Sequence, residues 1–358
     1  MGRRRRKADE LLQGVLLVDK PADVTSHDVC QTVRWALRLG KVGHGGTLDP
    51  FATGLLPLMV NGATRLMPYM QTQDKRYDAV VRLGVRTDTL DPTGEVIDRT
   101  DCAGVTDDAI LAAAATFVGK QTQTIPVYSA ARVDGKRLYE YARAGEDVEL
   151  PTKDIEVFSF DVHDIARPEG TAVVDVSISV HCSVGTYVRA LADDLGSALG
   201  VGGHLLSLRR TAAGALSLDR AIPLADIESQ AQADKAEREA AAEDGERIPF
   251  DPVANTRRWR PRLGDALLDV SEVVGGAPVL AIPGALVERV RSGGPLRRGE
   301  FEALDGAKEL TFEPGDRLVL QHPDGERAVA LARARVARGA LSRLDENAIV
   351  FEVERVLR

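Results

Sequence analysis

The stretch that most limits how this chain can fold is GHGGTLDPFATG, from Gly43 to Gly54. Four of its twelve residues are glycine and one is proline, so the backbone has to turn sharply while a single acid, Asp49, is presented at the turn. Leu55, Leu56, Leu58, Met59 and Val60 follow at once, an apolar run fit for a core. A carboxylate is therefore set at the edge of a buried framework. Asp followed by Pro is also an ordinary helix start, with the acid capping free N–H groups and the proline at the first helical position. Spacing alone leaves both readings open.

The 358 residues allow two domains, or one large domain with an appendage. A hydrophobic share of 44% and a charged share of 28% are those of a globular chain and exclude global disorder. No apolar run approaches the roughly 20 residues that a membrane helix needs. Arg3 to Lys7 lead into no signal-like segment, so the expected location is the cytoplasm, with no membrane partner. Cys30, Cys102 and Cys182 are far apart and never in CxxC spacing, and the six histidines are scattered, so no disulfide framework, metal or cofactor is expected.

A net charge of −8 speaks at face value against a nucleic-acid partner. Its distribution weakens the objection, because eight acids against three bases between Asp226 and Arg247 account for −5 of it. Basic residues cluster at Arg3 to Lys7, Arg209-Arg210, Arg257 to Arg262 and Arg289 to Arg298. Each cluster alone is an ordinary solvated face; convergence on one side would mark a phosphate-facing surface.

Along the chain, GVLLVDKP (Gly14 to Pro21) reads as a buried strand ended by proline. A helix follows, capped by Thr25 or Ser26, with Val29, Val33 and Leu37 on one face and Gly40 to close it. Tyr77 to Val85 reads as a strand, Thr106 to Val118 as a capped helix, Ile125 to Gly145 as a loop with a short helix, and Ile155 to Val162 as a strand. Thr171 to His181 alternates, with Val174, Val176, Ile178 and Val180 on one face, as a half-buried antiparallel strand does. Thr186 to Leu199 is helical, with Val188, Leu191, Ala192, Leu195 and Leu199 inward. Strands and helices mix without a βαβ period, which predicts an α+β domain with a mixed, mainly antiparallel sheet flanked by helices. The expected division is a basic tail over 1–12, a catalytic domain over 13–225, a charged Ala/Glu-rich connector over 226–273 and a small β-barrel over 274–358. The connector shows no apolar stripe and is expected in solvent between two folded bodies. The strand-like runs Leu296 to Phe301, Arg317 to Gln321, Ala328 to Ala332 and Ile349 to Val353 fit the barrel.

Several blocks, in order, resemble the TruB-type tRNA pseudouridine synthases over about Leu12 to Ile227: GVLLVDKPADVTSHD, GHGGTLDPFATGLLP, DKRYDAVVRLGVRTDTLDPTGE, YSAARVDGKRLYEYARAG and HCSVGTYVRALADDLG followed by LRR. The barrel resembles a PUA domain, the RNA-binding module of these enzymes. The resemblance implies Asp49 as the catalytic residue, Arg189 as its carboxylate partner and Tyr77 as a stacking or proton-relay group. It also places His44, Tyr77, Tyr187, Leu208 and Lys20 against the substrate, and implies that a monomer acts on the T arm of tRNA, at uridine 55. Three departures stand out. Gly45 replaces a frequent threonine, Ala131-Arg132 replace Leu-Lys after YSA, and the segment from Asp226 to Arg262 is longer than usual.

The chemistry asks for these residue types. Making the C-glycoside isomer of uridine breaks the N1–sugar bond, rotates the bound uracil and rejoins it at C5, with no redox step. An ionised carboxylate serves as nucleophile toward sugar or base, or as a base toward a sugar proton, and the sequence does not choose among these. An arginine partner offsets burial by lowering the carboxylate's pKa by about 1 to 3 units. The target base has to be flipped out, which favours rings that replace its stacking partners. Two rivals differ in class. A nucleoside or glycoside hydrolase needs a second acid, for which Asp88 or Asp91 is the candidate. A non-catalytic RNA-binding protein gives no reason for an acid in the glycine-rich turn, because an acid repels phosphate.

Overall fold

A computed structural model describes residues 12–70, 73–243, 251–325 and 327–357. The basic run Arg3 to Lys7, and Asp244, Glu246 and Arg247 of the acidic stretch, lie outside the described residues. The chain is α+β. Its larger sheet has eleven strands: β1 Gly14–Lys20, β2 Val42–His44, β3 Thr53–Val60, β4 Lys75–Leu83, β5 Gly119–Thr124, β6 Thr152–Ala166, β7 Val174–Cys182, β8 Gly203–Ala213, β9 Leu216–Ser217, β10 Ile222–Pro223 and β11 Leu267–Leu268. The main path runs β10-β1-β3-β8-β4-β7-β6-β5, with β2 on β3, β9 on β8 and β11 on β1. Only the β1–β10 and β3–β8 pairs are parallel.

Local signals set most of these elements. In β7, Val174, Val176, Ile178 and Val180 are buried as the alternation predicts, while the intervening residues are half-exposed. Helix α1, Ser26–Ala36, opens on a capping box in which Thr25 and Asp28 bond each other's backbone N–H. It stops short of Gly40: Leu37 is its C-cap, and Arg38 takes the left-handed conformation expected of the glycine, at φ 52°. Helix α2, Val188–Ala198, buries Val188, Leu191, Ala192 and Leu195 against β8.

The acidic segment corrects the sequence reading. Helix α3, Leu224–Glu243, is not free in solvent but lies against α1. Leu224, Ile227 and Ala231 form a narrow stripe at three- and four-residue spacing, and all three join the main core. Asp234 continues that stripe and is buried with them. Its charge is met by Arg262 at 3.0 Å and Arg258 at 3.3 Å, both from helix α4, Pro252–Leu263, whose Trp259 is 1% exposed. The stripe escapes pattern reading because one of its members is a carboxylate that only a distant helix neutralises.

The C-terminal region forms a five-stranded sheet of β12 Val279–Ala281, β13 Leu296–Arg297, β14 Arg317–Gln321, β15 Ala328–Ala334 and β16 Ile349–Val356, in the order β12-β14-β15-β16-β13. Its end strands β12 and β13 are not paired with each other among the described residues, so it is a half-barrel rather than a closed barrel. The expected strand Leu296 to Phe301 turns helical at Arg298. This half-barrel is packed on the larger sheet. Val15 and Leu17 of β1 and Leu55 and Met59 of β3 share one core with Val273, Val319, Leu331 and Leu357.

Candidate active site

The turn from Gly43 to Gly54 joins β2 to β3. Asp49-Pro50 does not start a helix: Asp49 C=O accepts from Ala52 N–H at 3.1 Å and the chain enters β3 at Thr53. Three side chains from three elements hold the turn from within. Ser26 of α1 exchanges two bonds with the backbone of Leu48, at 2.8 and 3.0 Å. Lys20, at the end of β1, donates to the carbonyls of Pro21, Pro50 and Ala52 at 2.9, 3.0 and 2.6 Å. Arg210 of β8 donates to the carbonyls of Leu55, Gly46 and Thr47 at 2.7, 3.1 and 3.5 Å. Gly54, at φ 97°, passes so close to β8 that a Cβ would lie 2.4 Å from Arg210 O. Gly45, the departure from the family pattern, has a matching neighbour, because a Cβ there would come to 3.0 Å from that of Met70.

Asp49 so presented lines a cleft of about 850 Å³. Arg189, in the first turn of α2 and 140 residues further along the chain, meets it through Nε at 2.9 Å to Oδ2 and Nη2 at 3.5 Å to Oδ1. The guanidinium is itself oriented by the carbonyls of Thr89 (2.9 Å) and Tyr128 (3.0 Å) and by Asp91 at 3.5 Å. Asp49 keeps 34% of its side chain open toward the cleft. The surrounding protein is nonetheless close enough that burial pushes its carboxyl above the ordinary carboxylate range, against the pull of Arg189; Asp91 adds to the rise and Lys20 opposes it. Burial therefore outweighs the arginine, contrary to the offset expected from the sequence. The two-point bond still orders the carboxylate for attack or proton abstraction.

Tyr77, Tyr187 and Leu208 line the same cleft. Burial raises the Tyr77 phenol, which Arg210 opposes, so its hydroxyl is neutral. Tyr187 caps α2, its backbone fixed by the Gln123 side-chain amide, which accepts from Tyr187 N–H at 2.8 Å and donates to Tyr187 C=O at 3.1 Å. Two expected substrate contacts lie elsewhere. Lys20 is wholly buried beneath the turn with its three hydrogens donated to carbonyls, so it braces the turn rather than facing the cleft. His44 lines a neighbouring cavity of about 290 Å³ with His27 and Arg34. Gly46 and Thr47 form a wall common to both cavities. Burial, then Arg210 and His27, lower the pKa of His44, and its buried Nδ1 has no partner among the described residues.

Arg210, Asp91, Tyr128 and Lys75 also line the cleft. The sequence counts Arg209-Arg210 among basic clusters that are each an ordinary solvated face; in the structure Arg210 is 1% exposed and spent on backbone carbonyls, and Arg209 pairs with Asp19 at 2.7 Å. No spacing signal links β8 to the turn, since the contact spans 155 residues. Within the cluster Arg289 to Arg298, Arg289 meets Glu300, Arg291 meets Glu288 and Arg298 meets Glu302. Of the two hydrolase candidates, Asp88 does not line the cleft, and Asp91 accepts at Oδ1 from Thr89 Oγ1 and from the N–H and Oγ1 of Thr93, at 2.7, 3.0 and 2.6 Å, with Oδ2 turned to Arg189 at 3.5 Å. Among the described residues no group of three or more His, Cys, Asp or Glu is gathered as a metal site would be, and no helix is long and apolar enough to cross a membrane.

Residues 34–188 match the sequence model of the TruB family pseudouridylate synthase N-terminal domain, and residues 189–258 that of the tRNA pseudouridylate synthase B C-terminal domain. Two similar proteins are both named tRNA pseudouridine synthase B. The one from Paenarthrobacter aurescens is 48% identical over 61% of this chain and 70% of its own length. The one from Streptomyces avermitilis is 43% identical over 75% of this chain and 89% of its own length. Among solved structures, a chain of an H/ACA RNP bound to a substrate RNA containing 2′-deoxyuridine superposes with a TM-score of 0.61 at 24% identity, covering 99% of this chain and 88% of that one. That likeness is one of fold.

Proposed function

The chain belongs to the TruB family of pseudouridylate synthases, and from that premise we propose that it isomerises uridine to pseudouridine in tRNA, at position 55 of the T arm. The observation that carries this reading is the Asp49–Arg189 pair on the wall of a cleft roomy enough for a flipped nucleotide. The uridine leaves its stack and enters between Tyr77, Tyr187 and Leu208, which take the place of its neighbours. Asp49, oriented by Arg189, assists cleavage of the N1–sugar bond as nucleophile or base. The uracil turns while bound and rejoins through C5, and Tyr77 stacks on it through its ring or relays the proton through its hydroxyl. The half-barrel acts as a PUA-like RNA-binding unit; its inclusion in a fold shared over 99% of the chain with an RNA-bound assembly supports this. The protein works as a cytoplasmic monomer.

A turnover assay on unmodified tRNA tests the reading. Isomerised uridine is expected. Free uracil would favour the hydrolase, and binding without either product would favour a non-catalytic RNA-binding protein.

A further inference from the structure

Among the described residues four cationic side chains line the cleft: Lys75, Arg143, Arg189 and Arg210. The two buried arginines are spent. Every guanidinium nitrogen of Arg189 is engaged by Asp49, Asp91 or the carbonyls of Thr89 and Tyr128. Every one of Arg210 is engaged by the carbonyls of Gly46, Thr47 and Leu55. Arg143 sits on the exposed rim, 5.3 Å above the ring of Tyr139. Lys75 differs. Its ammonium donates to Gln73 C=O, which leaves two of three hydrogens for an incoming acceptor.

The placement of Lys75 says what that acceptor is. It lies on β4 two residues before Tyr77, on the same face of the strand and about 7 Å along it. It is 8% exposed, so its charge is weakly screened. A uridine that brings its sugar to Asp49 carries a phosphodiester into a cleft that already holds the carboxylates of Asp49 and Asp91, and that third negative charge needs a counter-charge. We propose that Lys75 anchors a backbone phosphate flanking the target uridine. The proposal rests on the reading of the cleft as the uridine site.

Burial lowers Lys75 to about 8, with Arg210 of β8 and Lys153 of β6 acting in the same sense and Cys182 of β7 and Asp74, its chain neighbour, opposing. The Cys182 thiol, pushed up to about 11, stays protonated in this range. A phosphate favours the charged lysine, so affinity is expected to fall as pH rises past 8, while Arg at this position stays charged throughout.

The test uses the full chain and a T-arm stem-loop RNA, intact or with one neutral methylphosphonate linkage 5′ or 3′ of the target. Lys75→Met should weaken RNA binding about tenfold or more, as loss of a hydrogen bond to a charged group does, with the single-turnover rate at saturating RNA largely kept. Lys75→Arg should restore affinity and abolish its decline between pH 7 and 8.5. One of the two neutral linkages should weaken binding to the unsubstituted protein yet add no further loss in Lys75→Met. Fully additive losses at both linkages would overturn the proposal. So would an unchanged affinity, or a fall in rate at saturation with affinity kept, which would make Lys75 a proton carrier instead. If Lys75→Met does not fold, Lys75→Arg decides: the same pH dependence as the unsubstituted protein overturns the proposal. A failure of the unsubstituted protein to form pseudouridine would strike the uridine-site reading instead.

Discussion

The carboxylate of Asp49 and the guanidinium of Arg189 form a two-point pair whose arginine is almost wholly enclosed. Asp49→Asn keeps the shape and loses both nucleophile and base, so kcat should fall by about three to five powers of ten with RNA binding nearly intact; substantial pseudouridine formation by the purified variant would contradict the assignment. Arg189→Lys keeps the charge but not the planar fork, and a single ammonium cannot also satisfy Thr89, Tyr128 and Asp91. Activity should drop strongly. Because burial holds the Asp49 carboxyl above its ordinary range and the Arg189 hydrogen bond is one of the contacts opposing that, loss of that bond should move the acid limb of kcat to higher pH in this variant. A pH–rate profile superposable on that of the unsubstituted protein would place the arginine's role elsewhere.

At the scale of elements, the turn is precise because strand ends and helix starts meet beneath it. Ser26→Ala leaves the buried N–H and C=O of Leu48 without partners and should cost about 1–3 kcal/mol of stability, with kcat falling more than affinity as Asp49 loses its fixed position. Urea unfolding and single-turnover rates check the two parts separately. Helix α3 offers the contrast. Asp234→Ala removes the partner of Arg262 and one of two partners of Arg258, which keeps Glu237 at 2.9 Å, and about 1.5–3 kcal/mol should be lost with kcat unchanged, since none of these residues lines the cleft. A large loss of kcat would tie the acidic helix to catalysis.

For the whole molecule, the shared core between the two sheets sets what can be removed. Sequence reading treats residues 274–358 as a separate module that binds substrate, which suggests that a truncated chain would still turn over. Deleting them strips Val319, Leu331 and Leu357 from Val15, Leu17, Leu55 and Met59, and so bares an apolar face of the sheet that carries the site. The truncated protein should aggregate or bind a hydrophobic dye. A soluble 1–273 chain that unfolds cooperatively would show that the half-barrel is dispensable for folding.

Much of the catalytic fold was legible because its determinants are local. The glycines and proline around Asp49, the Thr25–Asp28 box and the alternation of Val174 to Val180 each act within a few residues of backbone, where φ/ψ limits and side-chain period decide the outcome. The role of Asp49 was legible only through the resemblance of whole motifs. What tertiary structure alone decided are the pairings of charges far apart in sequence. It turned Arg210 from a surface cation into a brace, put His44 on the cavity next to the cleft, and allowed Asp234 to lie in a core. A charge is buried only where its partner is brought to it, and no local pattern records which strand or helix will bring it.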